Sequence, residues 1–397
     1  MNKSGKSVED LLNTDISNMA GMSFYCDICK KDHSVDIEKI IIEKGAVNKV
    51  PTIAAGFKAG KVFLVADNNT YPVCGEKVEN LLKAEGFKLK TFVFNTPNQL
   101  VPGEQTLGRL LIEVERDTEL IVAVGSGVIN DMCRYLSYKM DIPYIIVGTA
   151  PSMDGYASVV TPTIVDGIKA TLDGVYPYAI IGDLDILKEA PMEMLNAGFG
   201  DILGKLIALT DWDMSRQLNG EKYCDNCASF VKDALEKCIS NIDGIKNREE
   251  KAIKYLMEAL VLAGVTMGMF GNSRPASGAE HHYAHYWDED AISRGEDHPL
   301  HGNSVGVGTV IAAEIYKLIG DRIPVKVNPP TPDEVKSLLK QLGACDNPRD
   351  LGINKDLFRR SILHSKDNRP KFTISHLAGQ MGLLEEFSEI LTEKFYG

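Results

Sequence analysis

The sequence has few cysteines and little positive charge for its length. Eight cysteines are spread over 397 residues, too few for the disulfide framework of a secreted protein. Acidic residues outnumber basic ones by 55 to 43, and the formal net charge is −12. A field of this sign repels nucleic acid and anionic lipid. The composition therefore predicts a cytoplasmic protein that binds small molecules and does not bind nucleic acid.

The sequence also lacks a clear membrane-directing segment. Its beginning, MNKSGKSVEDLL, does not combine a basic segment with an apolar run and a small-residue cleavage site, as a secretory signal does. The most apolar stretch, 261–270, is too short to cross a bilayer and follows Lys254 and Glu258. We expect a buried helix there and no membrane span. The polar residues 1–20 are expected to be mobile.

Apolar runs rich in valine and isoleucine alternate with helical patterns between Lys61 and about Asp183. This alternation is typical of a parallel sheet with crossover helices. Strands are predicted at 61–67, 89–95, 119–125, 144–149 and 178–183, with a hairpin within 160–176.

After Leu187 the strand signals stop. Helices are predicted at 191–217, 222–243, 248–270, 278–290, 303–319, 331–342, 354–364 and 373–394. Because the chain is longer than one core usually organises, we expect two domains. These are an α/β N-terminal domain with a parallel Rossmann-like sheet, 1–186, and an all-α C-terminal domain, 187–397.

A glycine turn, Gly125-Ser126-Gly127, joins one predicted strand to a helix. Glycines let the backbone approach a ligand, and the free N–H groups at a helix start attract a pyrophosphate. Asn130 stands where the dinucleotide fingerprint has a third glycine, so a plain strand-to-helix turn is an equal alternative. Asp67, which ends an earlier strand, would bind a ribose hydroxyl and favour NAD over NADP, or would merely cap the next segment.

A second run, TAPSMDGYAS at 149–158, places hydroxyls and one carboxylate directly after a strand. Open α/β sheets bind ligands at the carboxyl ends of their strands. Asp154 is therefore a candidate for holding a substrate hydroxyl. A plain turn rich in proline and glycine is the equal alternative.

Five of the eight histidines fall between residues 281 and 301. Ser277 and Glu280 have the spacing of a capping box, which predicts a helix that begins at Ser277 and places His281 and His285 one turn apart. Imidazoles are common zinc and nickel ligands, and a catalytic site needs about three protein ligands. A metal site is the favoured interpretation, and surface histidines on a loop are the alternative.

A carboxylate ligand would have to come from elsewhere in the chain. Asp201, at the head of the predicted helical domain, is one candidate, but the residues alone do not separate it from Asp183 or Asp211.

Two cysteine pairs, Cys26-x2-Cys29 with His33 close behind and Cys224-x2-Cys227, have the spacing of zinc-ligating pairs. Because the pairs are far apart in the chain, ordinary reduced thiols are the default prediction and a four-thiolate zinc site is the alternative.

Six motifs in register resemble those of one family. They are GSGVIND, TAPSMDGYAS, AGFGDILGK, DW, SGAEHHYAH and HGNSVGVGT, in this order between about residues 120 and 310. The set is similar to that of the sn-glycerol-1-phosphate dehydrogenases, bacterial AraM type, which belong with iron-containing alcohol dehydrogenases, glycerol dehydrogenase and dehydroquinate synthase. The resemblance implies a dehydroquinate synthase-like fold and a homodimer. It also implies a metal-dependent, NAD(P)H-linked oxidoreductase that interconverts dihydroxyacetone phosphate and sn-glycerol 1-phosphate.

The resemblance further implies roles for individual residues. One divalent metal, zinc or nickel rather than iron, would be bound by Asp201, His281 and His301. Asp154 and His285 would contact the substrate as catalytic residues, and Asp201 would also lie beside it. NAD(P) would be bound by residues spread along the sheet: Asp67, Gly125, Ser126, Gly127, Val128, Ile129, Thr149 and Ser158.

Three alternatives stay open. A dehydrogenase of glycerol or another alcohol would not depend on the substrate phosphate, and a dehydroquinate synthase-like enzyme would need more basic groups near the metal than Arg274 and Arg294. A metal-binding or thiol-sensing protein would leave the glycine turn without a purpose. Candidates for binding a substrate phosphate are Lys169, Lys205, Arg274 and the helix start after Ser277.

Overall fold

Six parallel strands form the main sheet of the computed structural model, which describes residues 15–57, 60–97 and 99–397. The strand order is β3-β10-β7-β6-β4-β5. Two antiparallel hairpins, β1–β2 and β8–β9, lie outside this sheet. The bounds are β1 Ser23–Cys26, β2 Lys31–Ser34, β3 Lys39–Glu43, β4 Lys61–Asp67, β5 Lys88–Phe94, β6 Leu120–Gly125, β7 Tyr144–Gly148, β8 Val160–Val165, β9 Ile168–Asp173 and β10 Ala179–Asp183.

The predicted strands and the predicted hairpin are confirmed to within a few residues, but β1, β2 and β3 were missed. β3 is a five-residue edge strand that pairs with β10. β1 and β2 have four residues each, and β3 has only three consecutive apolar residues between Lys39 and Glu43, so none of them gives a pattern long enough to be recognised.

Successive residues of the central strands face two different cores. Ile121 and Ala123 belong to a large core that continues into the helical half, whereas Val122 and Val124 belong to a smaller one. Because side chains alternate along a strand and both faces are covered, the strand is a continuous apolar run.

Helices α1 to α4 accompany the sheet, at Val50–Ala55, Glu76–Ala84, Glu104–Glu113 and Gly127–Met140. The rest of the chain is helical after β10. Its helices are α5 Leu184–Leu187, α6 Met192–Asn219, α7 Asp225–Ile239, α8 Ile242–Lys246, α9 Glu250–Phe270, α10 Ala279–Ser293, α11 His301–Ile319, α12 Pro332–Leu342, α13 Lys355–His364, α14 Ile374–Gln380 and α15 Leu384–Tyr396. The division into domains at residue 186 stays a prediction.

Three helix predictions were wrong in detail. The segments 222–243 and 373–394 each form two helices, and the second break contains Gly382 at φ 71°. The helix after Ser277 begins at Ala279, because the Glu280 carboxylate accepts a hydrogen bond from the backbone N–H of Gly278 at 2.7 Å. Ser277 therefore does not cap this helix.

The backbones of α6 and α11 touch. A Cβ atom on Gly302 would lie 1.8 Å from the carbonyl oxygen of Ala197, and one on Gly200 would lie 2.3 Å from the carbonyl oxygen of Gly302. Only glycine fits at these two positions, and the contact places Asp201 opposite His301 at the start of α11.

One helix of the described residues, Glu250–Phe270, has the length and composition to cross a membrane, and 67% of its most apolar window is buried in the fold. It packs against α7 and contributes to the large core, as the predicted buried helix should.

The predicted mobility of residues 1–20 falls mostly outside the described residues. From residue 15 onward the prediction was wrong, because Ile16 and Met19 are buried in a short 3-10 turn.

Candidate active site

Asp201, His281 and His301 converge from three different helices. Their ligand atoms all lie within 4.8 Å of one another. His281 Nε2 is 3.6 Å from Asp201 Oδ1, and the ring centres of His281 and His301 are 5.3 Å apart. Oxygen and nitrogen ligands of a tetrahedral zinc ion lie about 3.4 Å apart, so the donor set fits a divalent metal.

Carboxylates face the other nitrogen of both imidazoles. His281 Nδ1 donates to Glu280 Oε1 at 2.7 Å, and His301 Nδ1 lies 3.8 Å from Asp288 Oδ2. A carboxylate at one ring nitrogen fixes the tautomer and turns the other nitrogen toward a metal. Sequence reasoning assigned Glu280 to a helix cap and missed Asp288, because no local pattern pairs either residue with an imidazole.

A buried lysine joins the two candidate aspartates. Lys205 Nζ donates to Asp201 Oδ1 at 2.8 Å and to Asp154 Oδ2 at 2.7 Å, while the backbone N–H of Asp154 donates to Asp201 Oδ2 at 2.9 Å. Burial by itself would raise the pKa of Asp201, but Lys205 and the two histidines hold it below its usual range. The carboxylate is therefore ionised and available as a ligand.

His285 lies one turn after His281 on α10, with its ring centre 5.5 Å from that of His301. Its Nδ1 is 3.3 Å from Lys169 Nζ, which donates to Asp288 at 2.8 Å. The β8–β9 hairpin supplies Lys169 from the sheet half of the chain. Burial and Lys169 lower the pKa of His285 well below its usual value, so the ring is neutral at neutral pH.

The glycine turn lies where the direction of the sheet changes. β4 pairs with β5 on one side and with β6 on the other, so a crevice opens at the carboxyl ends of β4 and β6. Gly125 ends β6, and the backbone N–H of Thr149 donates to its carbonyl oxygen at 3.1 Å. A Cβ atom on Gly125 would lie 2.7 Å from that of Ile129, so the turn requires glycine.

Helix α4 begins at Gly127, and no side chain caps it at Ser126. Its first N–H groups are therefore free to bind an anion. Asn130, in place of a third glycine, donates to the carbonyl oxygen of Gly155 at 3.1 Å and so ties this helix to the 149–158 loop. Val128 is half-buried and Ile129 is buried.

Two of the predicted cofactor residues already have local partners. Asp67 Oδ1 accepts hydrogen bonds from the backbone N–H groups of Asn69 and Thr70, both at 2.8 Å. In the structure, Asp67 therefore caps the segment that follows it, as the alternative interpretation expected. It lies at the same edge of the sheet as the glycine turn. Ser158 bonds the backbone of Val160 where the β8–β9 hairpin begins.

The two competing aspartates cap other segments. Asp183 accepts from the backbone N–H groups of Gly45 and Val47, at 3.0 and 3.2 Å. Asp211 accepts from Ala279 and Ile374, both at 2.8 Å. Among the three candidates, the structure groups only Asp201 with the histidines.

The predicted phosphate ligands are mostly neutralised by carboxylates. Arg274 Nε donates to Glu221 at 2.6 Å, and Lys169 and Lys205 are paired as described above. Lys371, which no sequence pattern marked, donates to Ser277 Oγ at 2.9 Å and pairs with no carboxylate among the described residues. Burial and the nearby Arg274 lower the pKa of Lys371 to about 7.

A parallel sheet with a glycine turn at its crevice, followed by a helical half with an aspartate and two histidines, is the arrangement of the metal-dependent alcohol dehydrogenases. The family model described as iron-containing alcohol dehydrogenase matches residues 41–191. The structure of glycerol dehydrogenase from Schizosaccharomyces pombe superposes with a TM-score of 0.65 at 19% identity, over 89% of this chain and 90% of that one. The predicted dehydroquinate synthase-like fold class is confirmed.

Sequence comparison identifies the family within this class of dehydrogenases. The chain is 39% identical over 292 residues to glycerol-1-phosphate dehydrogenase [NAD(P)+] of Halalkalibacterium halodurans, which is 73% of each chain. It is 32% identical over 372 residues to the enzyme of the same name from Bacillus licheniformis, covering 90% of this chain and 93% of that one. The chain belongs to the glycerol-1-phosphate dehydrogenase family, and the predicted resemblance is confirmed.

Proposed function

We propose that this protein catalyses the NAD(P)-linked interconversion of dihydroxyacetone phosphate and sn-glycerol 1-phosphate. The observation that carries the proposal is the convergence of Asp201, His281 and His301 beside Asp154 and a group of lysines. The names of the relatives support the same reaction.

Asp201, His281 and His301 would hold one divalent metal, for which zinc or nickel is proposed before iron. Such an ion would polarise the ketone oxygen and stabilise the negative charge that develops when hydride arrives from the nicotinamide. Glu280 and Asp288 would keep the two imidazoles in the tautomer that binds metal through Nε2.

Asp154, Lys205 and His285 would act on the substrate itself. The Asp154 carboxylate would accept a hydrogen bond from a substrate hydroxyl, and Lys205 would fix the position of that carboxylate. Because Nδ1 of the neutral His285 ring accepts from the Lys169 ammonium, Nε2 would carry the ring proton. Nε2 would pass this proton to the oxygen when the ketone is reduced, while Nδ1 takes one from Lys169, and both transfers would reverse when the alcohol is oxidised. Lys169 would orient the ring.

The cofactor would lie along the crevice at the carboxyl ends of β4 and β6. Its pyrophosphate would bind the N–H groups of Gly125 to Ile129 at the start of α4, with Thr149 and Ser158 flanking it. Asp67 would accept from the ribose hydroxyls and disfavour a 2′-phosphate, so NAD is proposed as the preferred form.

Lys371 and Ser277 would bind the substrate phosphate. Lys371 is the lysine near this site that pairs with no carboxylate among the described residues. Its pKa is lowered to about 7, so its charged form, which prevails below that pH, is free for an anion. The name of the relatives implies a phosphorylated substrate. The assignment of Lys371 to the substrate phosphate is proposed from the contacts of this chain.

The test is oxidation of NADH with dihydroxyacetone phosphate, on protein stripped with a chelator and reloaded in turn with zinc, nickel and iron. Turnover confined to the phosphorylated ketone and restored by metal supports the proposal. Equal turnover of dihydroxyacetone would make it a glycerol dehydrogenase, and no turnover with any metal would favour a metal-binding protein. The variant Asp201→Asn tests the metal site in the same assay. Asp213→Asn, on the partly exposed side of the same helix α6, is its matched control.

A homodimer in the cytoplasm is proposed as well. Light scattering of the purified protein would give the mass in solution, and a monomeric mass would contradict the proposed dimer.

A further inference from the structure

A second group of metal-ligating side chains lies outside the candidate active site. Cys26 ends β1, Cys29 lies in the following turn, His33 is on β2, and Cys224 directly precedes α7. The four ligand atoms all lie within 4.8 Å of one another. Two elements far apart in the chain thus supply one cluster.

The distances in this cluster suit a metal better than a disulfide. The sulfur atoms of Cys26 and Cys224 are 3.8 Å apart, and His33 Nε2 is 3.1 Å from the sulfur of Cys29 and 3.8 Å from that of Cys224. Two thiolates of a tetrahedral zinc site lie about 3.8 Å apart, since each Zn–S bond is about 2.3 Å. A disulfide would require about 2.05 Å.

The surroundings of the cluster orient its members for a metal. His33 Nδ1 is 2.6 Å from the carbonyl oxygen of Met269, which can only accept, so Nδ1 carries a proton and Nε2 is the ring nitrogen that faces the sulfurs. The side-chain amide of Asn226 donates to Cys26 Sγ at 3.2 Å. Such outer contacts are typical of metal ligands.

The turn between the hairpin strands is held by a backbone hydrogen bond and one residue of positive φ. Lys30 adopts φ 56°, and its N–H donates to the carbonyl oxygen of Cys26 at 2.9 Å. A residue other than glycine rarely adopts this conformation, which persists where the surrounding structure supports it. The turn brings Cys26 and Cys29 to the same side, toward His33.

We propose that Cys26, Cys29, His33 and Cys224 bind a structural zinc ion. Four protein ligands leave no position open for a substrate, and three of them are at most 1% exposed. The ion would fasten the β1–β2 hairpin to the start of α7 and the end of α9. A hairpin of two four-residue strands is only marginally stable by itself, so a bound ion would stabilise it.

The first test counts zinc in purified protein that carries Asp201→Asn and His281→Ala, which removes the candidate catalytic ligands. About one zinc per chain should remain after dialysis, and adding Cys26→Ser or Cys224→Ser should remove it. Cys345→Ser, at a cysteine outside the cluster, is the matched control and should keep it. Zinc content that does not change with Cys26→Ser and Cys224→Ser would overturn the proposal.

The second test does not depend on how well the cysteine variants fold. The same double variant is loaded with cobalt, and tetrahedral thiolate coordination predicts strong sulfur-to-cobalt charge-transfer absorption. Absence of this absorption in folded, reduced protein would overturn the proposal. A titration of thiols in unfolded protein with a chelator present should find all eight cysteines. If two thiols were missing, the cluster would hold a disulfide and the zinc proposal would be wrong.

Discussion

Among the described residues, metal-ligating side chains gather in two regions, around Asp201 and around Cys224, which differ in the number of ligands and in their surroundings. The cluster at Asp201 has three ligands, one with an oxygen donor and two with nitrogen donors. The charged side chains of Lys205, Lys169 and Asp288 lie around it. The cluster at Cys224 has four ligands, mostly sulfur, and its outer contacts are a carbonyl and an amide. Three protein ligands leave one metal position open for a substrate, and charged side chains nearby can act on that substrate. Four protein ligands fill the coordination of a zinc ion, which is typical of a structural site.

The two clusters should act independently of each other. Asp201→Asn should lower kcat/KM by about a thousandfold or more, since it removes a ligand and the metal's stabilisation of developing charge. Steady-state kinetics with dihydroxyacetone phosphate give the effect, and Asp213→Asn should stay near wild type. Zinc held by the thiol cluster should not change, and its loss together with activity would contradict separate roles.

His285→Ala should cost about a hundredfold in kcat, the usual contribution of a positioned acid–base group, and leave the metal bound. Because the pKa of His285 is lowered, its ring is neutral at neutral pH and becomes protonated only in acid. The variant should therefore flatten the acid limb of the kcat profile. His364→Ala, at an exposed histidine, is the control. Loss of metal from His285→Ala would make it a ligand instead.

Lys371→Gln should raise KM for dihydroxyacetone phosphate about tenfold with little change in kcat, because a contact to the non-reacting phosphate is lost. The pKa of Lys371 is lowered to about 7, so its charge is present below that pH and lost above it. The wild-type KM should rise with pH through this range.

The variant should not show this pH-dependent rise in KM. Lys366→Gln, in the same segment and paired with Asp367, is the control. An identical pH profile in Lys371→Gln would contradict phosphate binding by Lys371.

The smallest effect concerns stability and separates the thiol cluster from the catalytic one. Cys224→Ser should lower the thermal midpoint by about 5 °C or more, because zinc bound only to the folded state adds to its stability. Differential scanning calorimetry with and without added zinc measures this. A midpoint that is insensitive to zinc in the wild type would contradict a structural ion.

Local patterns predicted the central sheet and the histidine group, whereas Asp201 was separated from Asp183 and Asp211 only by the family resemblance. Buried strands such as Leu120–Gly125 are continuous apolar runs, and the histidines lie on adjacent helices. The short edge strand β3 and the pairing of Glu280 and Asp288 with imidazoles depend on tertiary contacts that no spacing encodes.

The thiol cluster and Lys371 show the same limit. The default prediction of ordinary reduced thiols is not contradicted, since all the described cysteines are free. Only the fold shows that Cys26 and Cys224 come together, with His33 as the fourth group in place of Cys227 of the four-thiolate alternative. No motif surrounds Lys371 in the sequence, and the role proposed for it rests on its contact with Ser277 in the fold.

The backbone contact between α6 and α11 also limits what the candidate active site can become. With Gly200 and Gly302 touching, the spacing between the aspartate and the second histidine is set by two main chains and not by flexible side chains. The two helices cannot move closer around a smaller ion, because their main chains already touch. The spacing of the ligands would then bear on which ions fit the site, and Gly200 and Gly302 would be among the least replaceable residues of the protein.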